Sequence, residues 1–71
     1  MTHEFEITNH ADMLEETDRF IKAVLITPDL KRSNRKMMLD MLHSSRRLVE
    51  EQEYVAWCET INAAAKIWRK M

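Results

Sequence analysis

Residues 27–52, TPDLKRSNRKMMLDMLHSSRRLVEEQ, decide how the chain is read, because a helix start and two opposite faces can be taken directly from them. Thr27 has a hydroxyl able to accept from free amides of a first helical turn, and Pro28 fits the first helical position, where a missing N–H costs nothing. Asp29 adds a negative charge where a helix dipole is positive. A helix over residues 28–51 is therefore expected. At about 100° per residue, Leu30, Met37, Met38, Met41, Leu42, Ser45, Leu48, Val49 and Gln52 share one arc, which is the expected buried face. Arg32, Arg35, Lys36, His43, Arg46 and Arg47 take the opposite side, with Leu39 at its centre. Such a stripe serves equally well as a solvated surface, but a leucine ringed by arginines resembles a small contact site.

Working outward, the N-terminal side supplies a second amphipathic helix. Asn9 followed by Asp12 marks its start, and His10, Met13, Leu14, Thr17, Phe20, Ile21, Val24 and Leu25 form one stripe opposed by Glu15, Asp18, Arg19 and Lys22. This helix, over residues 9–26, must end near Pro28, since the residue before a proline is pushed out of helical geometry. Almost no loop is left between the two. Residues 1–8 alternate polar and apolar, with Phe5 and Ile7 on one side, the pattern of a short extended arm laid on a surface.

The C-terminal side, residues 53–70, is helical again and ends in Arg69 and Lys70, which suit the negative end of a helix. No proline or glycine separates it from the preceding helix, so one helix over residues 28–70 competes with two. The polar run Glu50, Glu51, Gln52, Glu53 is the natural bend and favours two. Two apolar sides are visible in this last segment. Tyr54, Val55, Trp57, Cys58, Ile61, Ala64, Ala65 and Trp68 make a broad face, while Ala56, Thr60, Ala63 and Ile67 make a narrow seam at heptad-like spacing. A helix covered on both sides sits in the middle of something, so the seam is expected to meet a second chain in a homodimer.

Composition narrows the fold. The 71 residues contain no glycine, which excludes Gly-rich phosphate loops, glycine-dependent hairpin turns and the usual glycine helix cap. The expectation is a single all-α domain over residues 1–71, a small bundle of about three helices, whose limited core a partner would help to stabilise. The net charge of −1 conceals an asymmetry: residues 1–20 carry six acids against Arg19, and residues 28–47 carry six bases against Asp29 and Asp40. One cysteine permits no internal disulfide and suggests a reducing, cytoplasmic setting. The first residues lack a signal-peptide pattern, and no apolar run reaches membrane-spanning length, so neither a cleaved leader nor a membrane role is expected.

Chemistry is sparse in this pattern. Cys58, between Trp57 and Ile61, is read as a small core residue rather than an activated thiol. His3, Glu4, Glu6 and His10 have only a generic metal spacing, and Ser44 and Ser45 lack a readable base. No enzyme, cofactor or metal is expected. The reading that remains is a non-enzymatic helical interaction protein, a regulator, inhibitor or assembly factor docking on another protein. Its candidate contacts are the basic face, Arg32, Arg35, Lys36, Leu39, His43, Arg46 and Arg47, and its self-association seam is Ala56, Thr60, Ala63 and Ile67. Nucleic-acid binding through the same basic face is the alternative, opposed by a pI near 6.3.

Overall fold

A computed structural model describes residues 9–71, which form three helices: α1 (His10–Ile26), α2 (Arg32–Glu50) and α3 (Tyr54–Arg69). The expected arm over residues 1–8 lies outside the described residues. The all-α class holds, with the helices running up, down and up so that α2 packs against both others. No helix among the described residues is long and apolar enough to cross a membrane.

Helix α1 starts as its sequence implies. The Asn9 side chain accepts from the Ala11 amide at 2.8 Å, and Asp12 stands in the first turn. Its end falls at Ile26, as expected, but Thr27 takes a different role from the expected one. Thr27 is the C-cap of α1, extended at φ −74° and ψ 117°, and its hydroxyl donates backward to the Ala23 carbonyl at 2.7 Å. It therefore does not cap α2, which begins at Arg32 rather than at Pro28. Residues 27–31 form a short linker with a turn at Pro28 and Asp29, and the N-cap, Lys31, offers no side-chain bond. What holds this corner is Arg35. Its Nη1 donates to the carbonyls of Val24 (2.6 Å) and Leu25 (3.0 Å), and its Nη2 donates to that of Thr27 (2.8 Å), placing a cation on the negative end of α1.

The break between α2 and α3 falls where the polar run suggests, and 28–70 is not one helix. Gln52 adopts the left-handed conformation, φ 62°, usually taken by glycine. The Gln52 amide donates to the Val49 carbonyl at 2.9 Å and the Glu53 amide to that of Leu48 at 2.8 Å, the paired backbone bonds of a Schellman ending. A side chain expected on the buried arc thus stands exposed at the corner.

Two apolar clusters fill the interior. One joins Val24, Met38, Leu42 and Ala64, with Phe20, Leu39, Ile67 and Trp68 against it; Phe20 and Trp68 meet edge to face at 6.0 Å. The other joins Met13, Val49 and Trp57. Within the second cluster runs a buried polar relay, in which the Trp57 indole N–H donates to Thr17 Oγ1 (2.8 Å) and the Thr17 hydroxyl donates to the Met13 carbonyl (2.7 Å). The relay satisfies groups that would otherwise be buried without partners. Near it, Tyr54 Oη and His10 Nδ1 share a hydrogen bond of 3.0 Å that ties the start of α3 to the start of α1.

The central helix is α2 and not α3, which moves several side chains. Leu39 is half-buried against the first cluster instead of exposed among arginines, because α1 leans on that flank of α2. In α3 the covered arc centres on Trp57, Ile61, Ala64 and Trp68, so Val55 is 76% exposed and Cys58 is exposed rather than part of the core. Leu25, placed on the inner stripe of α1, is 55% exposed because the helix is ending there.

Candidate interaction surface

Helix geometry divides the basic face into two rows. Arg35 and Arg46 turn toward α1: Arg35 clamps its last carbonyls, and Arg46 approaches Asp18 at 3.5 Å. Leu39 lies between them and faces inward. Arg32, Lys36, His43 and Arg47 are exposed, and their spacing puts them within about 60° of one another along a ridge about 22 Å long. Lys36 stands 3.3 Å from Asp40, a pair exposed on both sides and worth little to stability. The structure thus keeps four members of the predicted face at the surface in one line and gives the other three structural contacts.

The seam on α3 also divides. Ala56, Thr60 and Ile67 are half-buried, Ile67 against the first cluster, and the Thr60 hydroxyl donates to the Ala56 carbonyl at 2.9 Å. Ala63 is exposed. The metal reading that included His3, Glu4 and Glu6 falls outside the described residues, among which no His, Cys, Asp and Glu side chains gather into a metal-binding group.

A feature not apparent along the chain is the separation of charge between the ends of the bundle. One end is built from the close of α1, the linker, the start of α2 and the close of α3. There, residues 19–40 and 62–71 carry nine lysines and arginines against Asp29 and Asp40. At the other end, residues 9–18 and 41–61 carry eight acids against Arg46 and Arg47. The long dimension of the molecule is 35 Å, so the outermost charges of the two ends lie beyond a screening length of about 8 Å, while at the boundary Arg19 pairs with Glu15 and Glu16.

Among the described residues, the basic end also holds most of the exposed large apolar side chains: Leu25 (55%), Ile26 (68%), Met37 (40%) and Met71 (45%). An open cleft of about 200 Å³ lies there, lined by Thr27, Asp29, Leu30, Trp68 and Met71. Its lining comes from two stretches far apart in sequence, so no motif could have announced it. The acid-first, base-later asymmetry along the chain was the available signal, and the antiparallel path of α2 converts it into a separation between ends. No family model, curated protein or solved structure matches the chain, and its own surface is therefore the ground on which function is read.

Proposed function

We propose that the chain is a non-catalytic helical interaction module that docks on another protein as a regulator, inhibitor or assembly factor. The observation that carries this reading is the set of large apolar side chains left exposed at the basic end, beside an open cleft lined in part by Leu30 and Trp68. Uncovered apolar surface with a concave centre is what a docking partner desolvates, and a few well-packed side chains near the centre carry most of the energy of a typical contact. The test is cross-linked capture from cells that express the chain, with wild type beside a Leu25→Ser, Ile26→Ser double variant. Both side chains are exposed, so the core is untouched. A protein partner recovered with wild type and lost with the variant is expected; equal recovery with both would overturn the reading.

Self-association belongs to the same proposal. The seam of Ala56, Thr60, Ala63 and Ile67 keeps an exposed centre at Ala63, where a second chain could approach closely. Light scattering should give twice the chain mass for wild type and one chain mass for Ala63→Glu, while a wild type that stays monomeric at high concentration would remove the dimer.

A second reading has its own observation, the exposed ridge of Arg32, Lys36, His43 and Arg47, which could track phosphates along a nucleic-acid backbone. It requires duplex binding that weakens steeply with salt and disappears in Arg32→Glu, Arg47→Glu. Absence of a shift at low salt would dismiss it.

A further inference from the structure

We infer that the basic end of the bundle takes an acidic segment of another protein whose aromatic side chain, a tryptophan or tyrosine, enters the cleft with its N–H or O–H directed at Asp29. The inference rests on the docking reading above and supplies the chemistry of the partner.

Charge complementarity is the first argument. Lys22, Lys31, Arg32, Lys36, Arg69 and Lys70 are all exposed at this end, with Asp29 and Asp40 the acids among them. A rim of one sign steers an oppositely charged partner and repels others, and its effect on association falls with added salt. The second argument comes from the cleft, whose volume of about 200 Å³ suits one large side chain. Leu30, Trp68 and Met71 supply its apolar lining, and Thr27 and Asp29 are the polar residues of its wall. A purely aliphatic anchor would cover the Asp29 carboxylate without offering a donor, which is unfavourable. A lysine or arginine anchor would meet Asp29 but would enter against the surrounding cations. An aromatic ring that carries one donor fits both the apolar walls and the negatively charged acceptor among the polar residues, and such residues are enriched at the energetic centres of protein contacts.

The same features disfavour other occupants. Phosphates of a nucleic acid gain nothing from Leu25, Ile26 and Met71, and a bilayer would draw Asp29 toward hydrocarbon without a partner. A second copy of the chain offers an acidic end, but Tyr54 there is already bonded to His10, and Trp57 is buried.

The probe is a short helical peptide of glutamate and alanine with one central tryptophan, titrated into the full chain by calorimetry and followed by amide chemical shifts. Two control peptides replace the glutamates by glutamine or the tryptophan by alanine; vesicles of phosphatidylglycerol and a DNA duplex are the other ligands. Binding of the acidic tryptophan peptide is expected to weaken with salt and to shift amides of residues 27–32 and 68–71. Removal of the peptide's tryptophan should lower affinity about tenfold, and that loss should shrink in Asp29→Leu, where the acceptor is gone; an undiminished loss would overturn the contact with Asp29. The exposed triple variant Lys31→Glu, Arg32→Glu, Lys70→Glu should abolish binding while the thermal melt is retained. Equal binding of the glutamine peptide would overturn the acidic chemistry while leaving the docking reading intact. Shifts centred on Tyr54 and Val55, self-association that displaces the peptide, or tighter binding to vesicles or duplex would each overturn the assignment. So would failure of the acidic peptide to bind when cross-linked capture still depends on Leu25 and Ile26; loss of that dependence as well would remove the docking reading with it.

Discussion

The two corners of the bundle solve the same problem by different means. Between α1 and α2, residues 27–31 leave helix carbonyls that are satisfied from a distance by the Arg35 guanidinium. Between α2 and α3, the backbone satisfies itself through the amides of Gln52 and Glu53, at the cost of one residue held at φ 62°. The first corner therefore depends on a single side chain, whereas the second depends on a single backbone conformation. Substitutions should separate these two dependences cleanly.

The largest expected effect is at Arg35. Arg35→Met keeps much of the packing of the stem but withdraws the donors from three carbonyls, and hydrogen bonds to a charged group are worth about 1.5–3 kcal/mol. Urea denaturation should show a loss of that order, with the slope unchanged. Arg35→Lys should recover only part of it, since a point charge cannot reach three carbonyls as a planar fork does. At the second corner, Gln52→Val should destabilise by about 1–2 kcal/mol, because a β-branched residue resists the left-handed region. Gln52→Gly should do the opposite by up to about 1 kcal/mol, in proportion to the strain that glutamine now bears. The smallest effect belongs to Thr27. Thr27→Val removes one backward hydroxyl bond to Ala23 while Arg35 still holds the Thr27 carbonyl, so the change should stay near 0.5 kcal/mol. A loss as large as that of Arg35→Met would mean that Thr27, and not Arg35, organises the corner.

These corners also mark where the sequence could be read and where it could not. The break at Gln52 was legible because four consecutive polar residues interrupt an otherwise continuous apolar spacing, and its bonds are local. The start of α2 was not. Thr27-Pro28-Asp29 has the residues of a helix start, but the Thr27 hydroxyl turned back to Ala23, and the arginine that closes the corner lies eight positions further on. Arg35 looked like one more member of a basic stripe because periodicity reports direction around a helix and not what the neighbouring helix offers there. The same limit explains Leu39, which became half-buried once α1 leaned on α2, and Cys58, which was left exposed once α3 proved peripheral. At the candidate surface, the ridge of Arg32, Lys36, His43 and Arg47 followed from spacing alone. The cleft did not, because Leu30 and Trp68 come together only after α2 has run the length of the molecule and α3 has returned.

Arg35 also has a consequence for the order in which the chain folds. Its bonds span eight to eleven positions, while those that close the α2–α3 corner span three to five, so the second corner can form before the first has any reason to. These spans favour pairing of α2 with α3 ahead of the Arg35 bonds, which then act as the latch that retains α1. In kinetic terms Arg35→Met should leave refolding nearly unchanged and accelerate unfolding, whereas Gln52→Val should slow refolding.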